Sequence, residues 1–366
     1  MKDWHKNDCV FLCRTEKQRK VKSWHTICLN KSSGARKIFT EVNLSMKIVV
    51  GGSFPPGATE LFLKEIPAEY SAEIVTDLEA LKKRTDIEVL ITRGFEVTRE
   101  FIEQNPKLKF IQKWGSGLNA VDVQAAGERG IPVCNVPGAN SYAVSELTIL
   151  LMLAVYRNLL YHNAKLKAGI WSKSDLVERT YCLRGKTIGI VGSGHIGRLV
   201  AKKVQAFDAE TIYYDVARLS PEEEAAHHMT FVPLDELLRT SDIVTLHIPL
   251  LESTKNFISK RELDLMKPTA VLINAARGGL INEPDLLDAL DHDRLMGAGL
   301  DCLVNEKDKL HADDPMLHND KITLTPHVGG TSNDLAQEMV PRMAANAVRF
   351  LKGEPLLSVA NREYLC

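Results

Sequence analysis

The stretch TIGIVGSGHIGRLVAKKVQAFDAETIYYD (187–215) limits this chain more than any other. An apolar run ends at Gly192, a helix-like segment opens at His195, and a second β-rich run ends in Asp215. Strand, glycine turn, helix, strand is a βαβ unit, which belongs to a parallel sheet covered by helices. Each glycine has a task. Gly192 permits a tight turn, Gly194 lets backbone approach a pyrophosphate, and Gly197 lets helix and strand pack closely. The N–H groups of His195 and Ile196 then face phosphates at the positive helix end. His195 is read as a backbone contributor. Asp215 can accept both ribose hydroxyls, and its charge repels a 2′-phosphate, so NAD is expected over NADP. Arg218, three residues on, works against that selectivity. The bland alternative is a glycine turn without a ligand, which leaves the complete unit unexplained.

The rest of the chain extends this alternation. From Met46, the runs KIVVGG, AEIVTD, EVLITRG, LKFIQKWG and IPVCNVPG read as short strands. Helices are expected between them, at Thr98–Asn105 and Val121–Arg129. A long helix follows from Ser141 to Leu160, with Ser141 as its cap and Glu146 in its early turns. Strands then follow at KTIGIVG, AETIYYD, DIVTLHIP, AVLINAARGG, GAGLDCL and KITLTPH. Six candidates with helices between them match one dinucleotide-binding domain. Residues 333–352 read as an amphipathic helix stopped by Gly353.

Composition narrows the class. A chain of 366 residues, 45% hydrophobic and 25% charged, is an ordinary globular chain long enough for two cores. A net charge of −1 gives no general reason to expect nucleic acid or an anionic membrane as partner. No apolar run is long enough to span a bilayer and no secretory leader is visible, so neither membrane nor export is expected. The seven cysteines are scattered and odd in number, which suits free thiols in a cytoplasmic setting. Residues 1–45 stand apart, with ten Lys/Arg against four Asp/Glu and no clean periodicity. They are expected to be poorly ordered and dispensable, with Met46 a plausible true start. Cys9, Cys13, His25 and Cys28 lack ligand-pair spacing, and no metal is expected.

Three later strand ends carry polar groups that an apolar core does not want. INAARGG places Arg277, GLDCLVNE places Asp301 and Glu306, and TPHVGG places His327. In an open parallel sheet, ligands sit outside the carboxyl ends of the strands. A guanidinium there can hold a carboxylate and polarise a ketone. An imidazole can give or take a proton. A carboxylate beside it would orient the ring and favour its charged form. Singly, these residues read as a surface ion pair and a turn histidine. Together, beside a dinucleotide unit, they read as an active site. In the first half, KWGSGLNAVD offers backbone N–H groups at Ser116 and Gly117 as a nest for the substrate carboxylate. Lys113 reads as a solvated lysine, and Trp114 as core or pocket wall.

GIPVCNVPGANSYAVSEL, GSGHIG, LINAARGGLIN, GLDCLVNE and LTPHVGG stand in the order and near the spacing of one family. Over about residues 46–358 the chain resembles the D-isomer-specific 2-hydroxyacid dehydrogenases. The resemblance implies an α/β protein with a Rossmann-type NAD-binding domain, 145–326, inserted in a flavodoxin-like substrate domain, 46–144 and 327–366. It implies a catalytic set of Arg277, Glu306 and His327. It implies cofactor contacts at the Gly192–Gly197 turn, Asp215, Ala275, Ala276, Arg277, Asp301, His327, Val328, Gly329 and Gly330. Asp301 would bond the nicotinamide carboxamide. The domains would close over a cleft, and the long helix would dock a second copy to form a homodimer.

Two positions depart from the family pattern. Lys307 stands where a proline usually follows the glutamate, and Leu303 replaces a bulky aromatic. The expected activity is hydride transfer between nicotinamide and the 2-carbon of a small oxo or hydroxy acid of the phosphoglycerate or hydroxypyruvate/glyoxylate type. The absence of a regulatory domain after residue 358 argues against the long, feedback-regulated phosphoglycerate enzymes. The rivals are an NAD(H)-sensing dimeric scaffold, like the family's corepressors, and a different NAD enzyme, which would not explain the Arg277–Glu306–His327 spacing.

Overall fold

The computed structural model describes residues 46–306 and 309–365. The expectations for residues 1–45 and for Lys307 lie outside the described residues. Two compact units are present. One runs up to Ala139 and resumes at Asn333, and the other is Asn140–Ser332. The boundaries expected at 144/145 and 326/327 therefore fall elsewhere. The whole N-terminal turn of the long helix and the turn carrying His327 belong to the second unit.

The first unit is a five-stranded sheet of β1 (Ile48–Gly52), β2 (Ala72–Val75), β3 (Val89–Arg93), β4 (Phe110–Lys113) and β5 (Val133–Cys134). All pairings are parallel, in the order β2-β1-β3-β4-β5, the flavodoxin-like order. Strand side chains alternate between faces. Ile48, Val50, Val89, Ile91 and Phe110 meet α1 (Ala58–Glu65) and α12 (Leu335–Leu351). Val49, Leu90, Ile111 and Val133 meet α2 (Leu78–Lys82), α3 (Arg99–Gln104) and α4 (Val123–Glu128). Thr98 and Asp122 cap α3 and α4 through their side chains, so each helix starts slightly later than expected. The return of the chain as α12 is pinned by buried Asn346, which donates to Gln112 Oε1 at 3.0 Å and to the Leu357 carbonyl at 2.8 Å.

The second unit holds a seven-stranded sheet. Its strands are β6 (Thr187–Val191), β7 (Glu210–Tyr214), β8 (Thr230–Phe231), β9 (Ile243–Leu246), β10 (Val271–Asn274), β11 (Gly297–Leu300) and β12 (Ile322–Leu324). The order is β12-β11-β10-β9-β6-β7-β8. That is the Rossmann order with one added edge strand, and its direction of winding switches between β6 and β9. Six strands are expected from sequence; β8, only two residues long, is too short to leave a periodic signal. One face packs on α5 (Ser141–Tyr156) and α7 (His195–Gln205). The other packs on α9 (Leu234–Thr240), α10 (Lys260–Leu265) and α11 (Glu283–Asp291).

The long helix expected over Ser141–Leu160 is two helices. Asn158 adopts a left-handed backbone, φ 47°, and its side chain donates to Thr180 Oγ1 at 3.0 Å. Asparagine tolerates that conformation better than most residues. The chain bends by 64° there, and α6 (Leu159–Lys167) follows. Ser141 is not the cap. Asn140 precedes α5 without a side-chain cap bond, and Ser141 is buried inside the helix. Among the described residues, no single helix is long and apolar enough to cross a membrane.

Two details at the sheet's carboxyl edge shape the site. Asp301, just past β11, is 1% exposed. Its Oδ1 accepts from Thr325 Oγ1 at 2.6 Å and from Val328 N–H at 2.8 Å, and Oδ2 accepts from Gly329 N–H at 2.8 Å. The buried carboxylate thus fastens the turn after β12. His247, just past β9, is half-buried beside the glycine turn with its Nδ1 shut off from solvent, and a side chain at Gly192 would meet the His247 carbonyl at 2.6 Å. Burial pushes the His247 imidazole down to about 3.

Asp301→Ala should leave two turn amides and the Thr325 hydroxyl without their acceptor, at about 1–3 kcal/mol each. Chemical denaturation should show a loss of at least about 2 kcal/mol together with lost turnover; unchanged stability would mean the turn is held by other bonds. For His247 the unfolded chain binds the proton before the folded one does. Its contribution is complete above the ordinary value of 6.5 and is lost as pH falls towards about 3. Urea unfolding of His247→Gln should therefore depend less steeply on pH across that window than the parent, by up to roughly 1.4 kcal/mol per pH unit. Identical slopes would refute this.

Candidate active site

The glycine turn has the shape its sequence implies. Gly192 sits at φ 101°, a conformation that side chains other than glycine rarely adopt. At Gly197 a Cβ would lie 2.0 Å from the Gly192 carbonyl oxygen, so the first turn of α7 is packed directly on the loop. At Gly194 a Cβ would meet nothing within 4 Å, which leaves open space in front of that peptide. Gly194 begins α7 without a side-chain cap. The first amides of a helix, here those of His195 and Ile196, have no intrahelical acceptor and suit an anion. Asp215 lies at the end of β7, where Oδ2 accepts from Ser193 N–H at 2.7 Å and from Ser193 Oγ at 3.0 Å. Arg218 pairs with Glu224 at 2.8 Å instead of lying free beside Asp215. An open cradle, a helix start and a carboxylate at the second strand end together fit a dinucleotide without a 2′-phosphate.

β10, β11 and β12 are parallel neighbours, so the residues that follow them emerge at one edge. Arg277 follows β10 in extended backbone, with its carbonyl accepting from Asn274 Nδ2 at 2.7 Å. Ala275 is buried, while Ala276 is half-buried and donates its N–H to Asn274 Oδ1 at 3.0 Å. Among the described residues no carboxylate lies within salt-bridge reach of Arg277. Gly278 is required by the next loop: a Cβ there would meet the Leu303 backbone at 2.1 Å. Two loops at the site thus run backbone against backbone.

Glu306 and His327 meet. His327 Nδ1 lies 3.0 Å from both Glu306 carboxylate oxygens. An ionised carboxylate only accepts, so Nδ1 carries the hydrogen and Nε2 is the nitrogen left for other work. His327 is held at φ 53°, a left-handed conformation uncommon outside glycine. Its N–H donates to the Asp301 carbonyl at 2.8 Å and to the Thr325 carbonyl at 3.0 Å, which maintains that backbone. The Glu306 loop is supported by Glu283, whose Oε1 accepts from Val304 N–H at 2.7 Å. Burial raises the Glu283 carboxyl above its ordinary range, and Asp314 and Glu306 add to the effect. Beneath the pair lies Cys302, 3% exposed, its thiol pushed up to about 12 by burial and then by Asp301 and Glu306, against an opposing pull from Arg277.

Several of the expected site residues are held by bonds of the chain itself. Asp301, expected at the nicotinamide carboxamide, has its carboxylate buried and bonded to three donors of the chain itself. The amides of Val328 and Gly329 donate to that carboxylate. Gly330 is packed, with a Cβ meeting Asn140 Nδ2 at 2.9 Å. In the other unit, the Ser116 hydroxyl donates to the Val136 carbonyl and accepts from Gly138 N–H, both at 3.2 Å. Ser116 and the neighbouring Gly117 are both half-buried. Trp114 is core, 6% exposed and edge-on to Phe54. Ser193, His247 and Glu283 escape sequence reasoning. Only the polar residues in GSG and LHIP, at strand ends, hint at the first two.

Residues 149–329 match the family model described as D-isomer specific 2-hydroxyacid dehydrogenase, NAD binding domain. A glyoxylate reductase of Thermococcus litoralis is 34% identical over 315 residues, 83% of this chain and 94% of the relative. A D-3-phosphoglycerate dehydrogenase of Methanocaldococcus jannaschii is 36% identical over 317 residues, 86% of this chain but 59% of the longer relative. A hydroxypyruvate reductase of Thermotoga maritima is 37% identical over 276 residues, 75% of this chain and 88% of the relative. The chain belongs to the D-isomer-specific 2-hydroxyacid dehydrogenases, NAD-dependent oxidoreductases that move hydride between nicotinamide and the 2-carbon of a hydroxy or oxo acid.

Proposed function

We propose that the chain reduces a short 2-oxo acid of the glyoxylate or hydroxypyruvate type, with His327, Glu306 and Arg277 as its catalytic residues. The observation that carries the assignment is the Glu306–His327 pair at 3.0 Å, one strand away from the exit of β10. NADH, when bound, supplies the hydride. Arg277, with no internal carboxylate partner among the described residues, holds the substrate carboxylate and draws electron density from the ketone. His327 passes a proton from Nε2 to the carbonyl oxygen as negative charge develops there. Glu306 keeps Nδ1 protonated and the ring fixed, and it stabilises the positive charge that the ring carries before transfer. In the reverse direction the same nitrogen accepts the hydroxyl proton. Gly192, Gly194, Gly197, His195, Ile196 and Asp215 hold the dinucleotide. Phosphoglycerate is the alternative substrate. The scaffold alternative gains nothing from relatives that carry reductase and dehydrogenase names.

Assembly and setting belong to the same reading. The chain forms a homodimer through the bent α5–α6 region, a reading supported by Leu150, Leu160 and Leu166, which are 52%, 51% and 59% exposed, and by Trp171 at 80%. Apolar surface of that kind marks an interaction site. The cytoplasm is its location, which free cysteines suit.

Full-length protein assayed with NADH against glyoxylate, hydroxypyruvate, pyruvate, 2-ketogluconate and 3-phosphohydroxypyruvate should turn over one of the first two best. Preference for the phosphorylated acid would replace that choice. His327→Ala should lower turnover by roughly 10²–10⁴-fold while NADH binding, read by fluorescence, is kept; full turnover would move the proton donor elsewhere. Asp215→Ala should narrow the preference for NADH over NADPH, and an unchanged ratio would remove Asp215 from ribose recognition.

A further inference from the structure

We propose that Cys302, Glu306 and His327 form a site for a borderline-soft divalent cation of the zinc class, and that its occupancy silences the enzyme. The sequence reading expects no metal, from the spacing of Cys9, Cys13, His25 and Cys28, and does not weigh Cys302. The fold changes that. One ligand atom from each of the three side chains lies within 4.8 Å of the other two. Thiol, carboxylate and imidazole are the donors zinc selects, and three protein ligands with an open fourth position are a common zinc arrangement.

The three donors come from well-held places. Cys302 is fixed by packing, 3% exposed, below the pair. Glu306 is carried on the loop that Glu283 supports through Val304 N–H at 2.7 Å. His327 is locked by the Asp301 turn, and its ring and the Glu306 carboxylate remain reachable, with side chains 43% and 34% exposed. A cation can thus enter from the open side and meet the sulfur at the bottom. As a buried thiol alone, Cys302 is a small apolar filler. That role does not require a sulfur within ligand distance of both members of a carboxylate–imidazole pair.

Binding is a simple exchange. The Cys302 thiol gives its proton to solvent as the sulfur–metal bond forms, the hydrogen on His327 Nδ1 passes through solvent to Nε2, and the carboxylate and the freed Nδ1 each donate a lone pair. No electron is transferred. The Glu306–His327 hydrogen bond is lost, and an imidazole committed to the cation no longer delivers a proton. Formation of the site rests on the placement of the three side chains; the loss of turnover rests on His327 being the proton donor.

The test compares chelator-treated wild-type protein with Cys302→Ala and Cys302→Val, one trimming the side chain and the other filling its space. Cadmium is titrated while the ultraviolet thiolate-to-metal charge-transfer band is followed, and zinc is titrated against turnover with NADH. The wild type should show a band increment that both variants lack, and chelator should reverse its zinc inhibition. The variants should keep basal turnover and require at least about tenfold more zinc for the same inhibition, a scale at which even outer-shell partners of metals matter. Equal bands, or equal zinc sensitivity, in wild type and variants would overturn the site. A Cys302-dependent band with undiminished turnover would uphold the site and instead remove His327 as proton donor.

Discussion

One carboxylate organises the reactive edge of this molecule. Asp301 is almost wholly buried, and an isolated charge there would be costly. Two backbone amides and one hydroxyl, all from the segment after β12, compensate it. The cost of burying the charge is thereby converted into a fixed path for a glycine-rich turn that has little rigidity of its own. His327 takes its unusual backbone from that path, and its meeting with Glu306 follows. The same residue supplies a backbone carbonyl to His327, so both polar groups of Asp301 serve one turn.

Around this anchor the architecture does what parallel sheets do. Strand order brings loops from non-adjacent parts of the chain to one edge, and the winding switch between β6 and β9 leaves a crevice there. Close packing then fixes the loops. Gly197 lies on Gly192, Gly192 on His247, and Gly278 on Leu303, each at a distance that excludes a side chain. The glycine turn and the loop that leads to Glu306 are built by the same device, backbone pressed on backbone, along one sheet edge.

Most of this was legible in the residues. Strand ends followed by Arg277, Glu306 and His327 are visible because polar groups there contradict an apolar run. The glycine turn is visible because its spacing has a geometric reason. Other features depend on partners distant in sequence. The donors of Asp301 lie more than twenty residues further along the chain and leave no mark beside it in the sequence. Cys302 looks inert until the loop folds over it. The break at Asn158 is hidden because apolar periodicity continues across it, and β8 is shorter than any period. The unit boundaries follow contacts between segments distant in sequence, which the hydrophobic pattern does not report.

The two units also differ in how the chain supplies them. The second is continuous, Asn140–Ser332, whereas the first needs α12 from beyond Asn333 to cover one face of its sheet. On a ribosome, where domains generally fold as units as they emerge, the nucleotide-binding half has all its parts before its companion does. Until the last helix is translated, Ile48, Val50, Val89, Ile91 and Phe110 lack that part of their cover. The sheet whose strands emerge first is thus completed last.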